Sequence, residues 1–197
     1  MVCVYCKFTG TSLGYSEQHE EALGLLDCLI KRIEGSDFVP KTDATPEGKP
    51  FFTNSDVKFS LSHSDGCVVC ALSSDKEIRW PAGINGSKRI ALIPARPSEI
   101  GCDVEPYENR LGENAKRKVA KRYFSYKEND LIGTNDDFNR AFTRMWTAKE
   151  SYVKCTGEGL GGLSKTDVTS PGENYEIFSY DIKKGRKAYS VSVCIRK

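Results

Sequence analysis

The sequence predicts an α+β fold assembled from two halves. Helical periodicity is sustained twice, over 17–34 and over a run that ends at Lys154. Period-two alternation comes in strand pairs, one pair per half: 57–62 with 67–73, and 175–183 with 188–195. Between them lies an irregular stretch, 74–97, with Pro81, Pro94 and Pro97. It reads as an insertion plus a linker, so the boundary falls near Pro97, with an N-terminal half over 1–97 and a C-terminal half over 98–197. Each half offers a helix and a strand pair, without a measurable sequence repeat.

A chain of 197 residues can bury an ample core. Charged residues make up 28% and the net charge is only +2, so any electrostatic argument must be local. A nucleic-acid binder would want a more basic domain and stacking aromatics, and neither is evident. No apolar run approaches the length of a membrane span, and the first residues lack the charged and apolar regions of a signal peptide. The expected compartment is the cytoplasm, where the eight cysteines should stay reduced. Cys3/Cys6 and Cys67/Cys70 have the CxxC spacing of a four-thiolate zinc site, but both pairs sit in apolar, strand-like runs.

In chain order, 2–8 reads as a strand. Residues 17–34 form an amphipathic helix with Ser16 as N-cap, Gly35 past its end, and Ala22, Leu23, Leu26, Leu29, Ile30 and Ile33 as its apolar face. Residues 35–56 read as loop and contain Gly48-Lys49-Pro50, by itself an ordinary turn. The strand at 57–62 runs into Ser62-His63-Ser64-Asp65-Gly66 and turns into 67–73. A Ser-His-Asp triad does not fit there, because neighbours on a strand point to opposite faces. A capped loop histidine and an anion site of hydroxyls, amides and imidazole both remain open.

Next comes Gly101-Cys102-Asp103-Val104-Glu105-Pro106. Alternation puts Asp103 and Glu105 on one strand face, with Gly101 leaving room beside them. That face is either an edge turned to water or a pair of ligands for a hard cation such as Mg²⁺. Residues 113–124 form a basic helix in which Lys116, Arg117, Lys121 and Arg122 make either a solvated face or a docking surface for an acidic partner. Phe124-Ser125-Tyr126-Lys127-Glu128 caps a further helix, and Asn135 or Asp136 opens the next. Along that helix Trp146, Lys149, Glu150, Val153 and Lys154 share an arc of roughly 140°. Glu150 and Lys154 are spaced for an i,i+4 pair. The glycines from 157 to 162 end the run.

Taken together, Ser62-His63-Ser64, Gly101-x-Asp103-x-Glu105 and Trp146-x-x-Lys149-Glu150-x-x-x-Lys154-x-x-Gly157-x-Gly159-Leu160 resemble the Sfp-type phosphopantetheinyl transferases. Gly48-Lys49-Pro50 and Phe124-Ser125-x-x-Glu128 add to the match, which runs from about residue 17 to the end. The resemblance implies a pseudo-dimer of two similar α+β halves with the active site in the cleft between them. It implies transfer of phosphopantetheine from coenzyme A to a serine of an acyl, peptidyl or aryl carrier protein, with release of adenosine bisphosphate. By position, Asp103, Glu105 and Glu150 are then the Mg²⁺ ligands. Lys154 and Lys149 contact phosphates, and Lys49, Ser62 and His63 grip the nucleotide's phosphates from the N-terminal half. Glu150, or alternatively Glu128, serves as base. The helix bearing Lys116, Arg117, Lys121 and Arg122 docks an acidic carrier protein. No nucleic acid or membrane partner is implied, and a pseudo-dimer works as a monomer. Family members of this type carry a longer, basic N-terminus, so Arg79, Lys88 and Arg89 are expected to replace its contacts to coenzyme A. The alternative is a catalytically silent relative that binds coenzyme A or a carrier.

Overall fold

The computed structural model describes residues 1–9, 13–76, 80–108 and 111–197. Its elements run β1 (Val2–Phe8), α1 (Tyr15–Glu34), β2 (Thr42–Ala44), β3 (Pro50–Phe52), β4 (Lys58–Ser64), β5 (Cys67–Ser73), β6 (Lys88–Ile93) and β7 (Ile100–Pro106). There follow α2 (Glu113–Tyr123), α3 (Tyr126–Gly133), α4 (Phe138–Thr156), a 3₁₀ turn at Gly159–Gly162, β8 (Tyr175–Lys184) and β9 (Lys187–Arg196).

One antiparallel sheet has the order β4-β5-β1-β6 and another β7-β9-β8. Strand alternation gives each sheet two apolar faces, and both are covered. Cys3, Tyr5, Val68, Cys70 and Leu72 pack against Leu25, Leu29 and Ile30 of α1. Val2, Val4, Val69 and Ala71 point the other way and meet Ile100, Cys102, Val104, Val191 and Val193 of the second sheet. The far face of that second sheet carries α4. Thr147 of α4 bonds there to the hydroxyls of Ser190 and Ser192, at 3.0 and 2.9 Å. The mixed α+β architecture is therefore a helix, two sheets and a helix in layers, one helix and one sheet from each half.

This layering separates the cysteines of each CxxC pair. Cys3 and Cys70 belong to the α1 side of the first sheet, Cys6 and Cys67 to its opposite side. Residues three apart on a strand face opposite ways, so the four thiols cannot meet around one zinc ion.

Several local expectations shift. Helix α1 begins at Tyr15, two residues early, because the Glu17 carboxylate accepts the Gly14 N–H at 2.7 Å and caps the first turn in place of Ser16. Its core position is Leu25, whereas Leu23 is exposed. The 35–56 loop holds the β2–β3 hairpin. Helix α4 starts after Asp137, whose carboxylate accepts the Arg140 N–H at 2.9 Å. The 74–97 stretch supplies β6, a fourth strand beside β1. Lys88 and Arg89 thus lie on the sheet edge opposite β4, and Arg79 falls outside the described residues.

Strand β7 is an edge strand of its own sheet but does not face water. Serines of β4 cover it: Ser60 Oγ accepts the Cys102 N–H at 2.9 Å, and Ser62 Oγ accepts the Val104 N–H at 3.3 Å. On its other side, Gly101 lies against α4. A Cβ there would stand 2.1 Å from the Ser151 carbonyl oxygen and 2.3 Å from the Cys155 nitrogen. Both are backbone atoms that cannot rotate away. Gly101→Ala is therefore expected to lower unfolding free energy by roughly 3 kcal/mol, the upper end for overpacking, as read from a urea denaturation curve. An unchanged midpoint would show that α4 is not seated on β7 this closely.

Candidate active site

The carboxyl end of β7, the hairpin end of β4 and the last turns of α4 converge on one cleft of about 610 Å³. That size is in the range of small-molecule sites. Asp103 and Glu105 enter from β7, Ser62 and His63 from β4, and Glu150 and Lys154 from α4. Tyr15 and His19 of α1 and the Gly48-Lys49-Pro50 turn form further walls. A second hollow, about 840 Å³, lies beyond Gly157 and is lined by Lys165, Thr166 and Ser170 among others. It contains none of the carboxylates at 103, 105 and 150.

Three segments far apart in sequence thus meet. Lys154 Nζ donates to Asp103 Oδ1 at 2.7 Å and to Ser62 Oγ at 3.3 Å. Ser62 Oγ donates to the same Oδ1 at 2.8 Å, and Ser64 Oγ to Glu105 Oε2 at 2.8 Å. Ser62 therefore positions a carboxylate and a β7 amide before it can touch any ligand. Asp103 is 5% exposed, and its Oδ2 is buried without a hydrogen-bond partner.

The electrostatics follow from three acids sharing this space with Lys154. Burial, then the charge of Asp103, pushes the Glu105 carboxyl up to about 7, against the opposing effects of Ser64 and Lys154. Burial and Asp103 also raise Glu150, with Lys154 acting against them. Burial by itself would lower Lys154, but Asp103, Cys102 and Glu150 outweigh it and hold the ammonium above its ordinary value. Burial, His19 and Lys154 lower His63.

An excess of hard oxygen donors and an orphaned buried carboxylate oxygen suit a divalent cation of the Mg²⁺ type. Among the described residues no three acidic, imidazole or thiolate side chains converge as a ready-made metal cluster. The donor chemistry is in place, while Asp103 Oδ1 is held by Lys154 and Glu105 by Ser64.

A raised carboxyl favours the protonated folded state. Glu105 thus detracts from stability as pH rises from its ordinary 4.5 through about 7, and the loss stays complete above that. In EDTA, Glu105→Gln is expected to flatten the decline of stability between pH 5 and 8 and to stabilise the protein at pH 8 by on the order of 2 kcal/mol. Thermal melts of both proteins across that pH range check it. A variant less stable than the parent at pH 8 would contradict the repulsion read here.

Other residues named from the sequence are buried, paired or placed away from the acids. Lys149 and Glu128 are both fully buried and pair with each other at 2.8 Å. Glu128 also accepts the N–H of Ser125 at 2.7 Å and of Val168 at 2.8 Å, and Lys149 donates to the Thr166 carbonyl as well. Neither reaches the cleft: the arc shared with Glu150 splits, its Lys149 edge turning toward α3. Lys49 lines the cleft, but its ammonium is committed to Glu99 at 2.5 Å and to the Cys155 carbonyl at 2.7 Å, where it caps the end of α4. The αL residue Gly157 passes directly beside it; a Cβ there would lie 3.5 Å from Lys49 Cδ. Lys116 is buried at 2% exposure, donating to Asn139 Oδ1 at 2.9 Å. Arg117 pairs with Glu113 at 2.6 Å and lies over the Phe138 ring. Of the basic helix, Arg117, Lys118, Lys121 and Arg122 are exposed.

Sequence reasoning did not place Tyr15, His19 or Leu23 in a site, and all three line the cleft. A usable signal existed for one of them, since His19 and His63 are the chain's only histidines.

Fold and site together define a class: an α+β protein with a cleft lined by three carboxylates and a lysine. Residues 99–193 match the model of the 4'-phosphopantetheinyl transferase superfamily. Among curated proteins, the chain is 30% identical over 134 residues to the 4'-phosphopantetheinyl transferase HetI of Nostoc sp., covering 65% of this chain and 46% of that protein. It is 31% identical over 117 residues to the transferase gsp of Aneurinibacillus migulanus, 57% of this chain and 36% of that one. It is 29% identical over 152 residues to Sfp of Bacillus subtilis, 73% of this chain and 54% of that one. The likeness to Sfp-type transferases read from the three motifs thus extends over most of the chain. The chain itself spans about half the length of these relatives, or less. A solved Thermotoga maritima holo-[acyl-carrier-protein] synthase aligns with 51% of this chain and 64% of its own, at 19% identity and a TM-score of 0.32, too distant to bear on the fold.

Proposed function

We propose that this protein transfers the phosphopantetheine group of coenzyme A to a serine of an apo carrier protein, acyl, peptidyl or aryl, releasing adenosine bisphosphate. The observation that carries the reading is the convergence of Asp103, Glu105, Glu150 and Lys154, all within the segment that matches the superfamily, on one cleft. The N-terminal half, 1–97, grips the nucleotide, and the C-terminal half, 98–197, carries the acids and receives the carrier.

The serine oxygen bonds to the phosphorus that bears pantetheine, and the bond from that phosphorus to the leaving adenosine bisphosphate breaks. Asp103, Glu105 and Glu150 would hold Mg²⁺, which when bound neutralises charge on the pyrophosphate. Lys154, held against Asp103, adds a cation to the same region, and His63 offers an N–H to the nucleotide. Glu150 takes the serine proton. Proton transfer to a placed base is a contribution usually worth ~10²–10⁴-fold. Glu128, fully buried and holding Lys149, has no path to that proton. An acidic carrier docks on the exposed side of α2 through Lys121 and Arg122, with Lys118 beside them.

No described helix is long and apolar enough to cross a membrane. All eight cysteines are free thiols, as suits a monomeric enzyme working in the cytoplasm. Incubation with coenzyme A, Mg²⁺ and an apo carrier protein should add one phosphopantetheine mass to the carrier by mass spectrometry. Carriers from fatty-acid, polyketide and nonribosomal peptide synthesis serve as the panel, and no mass gain on any of them rejects the reading.

A further inference from the structure

The turn between β8 and β9 carries Lys183, Lys184, Arg186 and Lys187, four cations in five residues. Gly185 sits among them with φ 59°, the positive angle that a two-residue hairpin needs. The like charges are held together from outside. Lys187 Nζ binds Asp65 Oδ2 at 2.7 Å, and the Tyr189 hydroxyl donates to the Asp65 carbonyl at 2.9 Å. Lys184 Nζ stands 5.5 Å from the centre of the Phe8 ring and donates to the Phe8 carbonyl at 3.5 Å. Lys183 and Arg186 are exposed and, among the described residues, have no acidic partner. Asp181, the nearest acid along β8, is taken by Arg140 and Arg144 of α4.

The turn stands beside the cleft. Glu105 lies opposite Ser190 in the β7–β9 ladder, and the Tyr107 N–H continues that ladder to the Ala188 carbonyl at 3.0 Å. Lys187 comes three residues before Ser190, so the turn begins about 10 Å along the strand from the level of Glu105. Asp65, which anchors the turn, adjoins Ser64, the donor to Glu105. A protein that brings a serine to these acids must cover the rim around them. A typical interface takes about 800 Å² of each partner, a patch roughly 16 Å in radius, and the turn falls within that reach. Asp103, Glu105 and Glu150 outnumber Lys154 in the cleft and repel an acidic partner. The attraction must come from cations on the rim, where Lys183 and Arg186 are uncommitted.

We propose that the β8–β9 turn is a contact for the acidic carrier protein, separate from α2, in which Lys183 and Arg186 meet the carrier's carboxylates. This rests on the transferase reading above. The test is steady-state transfer to an apo carrier by the wild type, by the double variant Lys183→Glu/Arg186→Glu, and by Arg196→Glu/Lys197→Glu. The last pair makes the same charge change on exposed residues at the opposite end of β9. Reversal at the turn should raise the Michaelis constant for the carrier about 10-fold, the scale of two exposed charge contacts turned repulsive. It should change that for coenzyme A less than about 2-fold. Added salt should raise the wild-type carrier value and move the variant's less. Reversal at the far end should change the carrier value less than about 2-fold. All four side chains are exposed, so circular dichroism should report an intact fold. An unchanged carrier value for the turn variant, an equal rise for both double variants, or an equal rise for carrier and coenzyme A overturns the assignment and leaves the transferase reading standing. Loss of binding to anionic vesicles with the carrier value unchanged would give the turn to a membrane surface instead, and also overturns it. A wild type that modifies no carrier overturns the transferase reading itself, and the assignment falls with it.

Discussion

Asp103→Asn is expected to lower phosphopantetheine transfer at least ~10²-fold, the scale of losing one charged contact to the transition state. Asp103 is where three elements join: Lys154 from α4 and Ser62 from β4 both bond to its Oδ1, and its Oδ2 is the buried oxygen left open. The amide keeps the shape and can still accept from Ser62, but it removes the charge that aligns Lys154 and the hardest of the oxygen donors. A thermal-shift titration with Mg²⁺ gives an independent reading. The wild type should melt higher as Mg²⁺ is added, because a ligand that binds only the folded state stabilises it, and the variant should lose most of that rise. A variant that transfers at nearly the wild-type rate would remove Asp103 from the site.

Lys149→Ala and Glu128→Ala are each expected to destabilise the protein by about 3–5 kcal/mol, because each strands a buried charge. The Glu128 carboxylate accepts from Lys149, Ser125 N–H and Val168 N–H at full burial, so its removal strips two amides of their acceptor and leaves the Lys149 ammonium only the Thr166 carbonyl. The double variant should lose less than the sum of the singles, since the two groups are each other's partner. Chemical denaturation followed by circular dichroism measures all three. If Lys149 were a phosphate contact, Lys149→Ala would leave the denaturation midpoint in place and raise only the Michaelis constant for coenzyme A.

These two residues show where sequence reading stops. On a helical projection Lys149 and Glu150 are neighbours, and both fall on the arc that also holds Lys154. A difference of 100° in direction decides that Glu150 opens into the cleft while Lys149 points under α3. Nothing in residues 146–154 fixes which edge of the arc meets which neighbour. Lys116 is a similar case, for it reads as part of a basic surface until Asn139 and the Phe142 ring are packed against it. Lys49 reads as a phosphate grip until Glu99 and the end of α4 claim its ammonium.

The α+β class, the two long helices and the paired strands follow from local rules of periodicity and alternation, whereas Asp103, Glu105, Glu150 and Lys154 were grouped as one site only through the resemblance to the transferase family. The sequence by itself also located Gly101, whose lack of a side chain is what lets α4 lie against β7. Only the tertiary structure decided that β6 joins the far edge of its sheet, that serines of β4 cover the β7 edge, and that His19 faces His63. Each of these depends on which sheet faces and edges meet across separations of about 40 residues or more. Burial then sets which charges are spent on one another and which remain for a ligand.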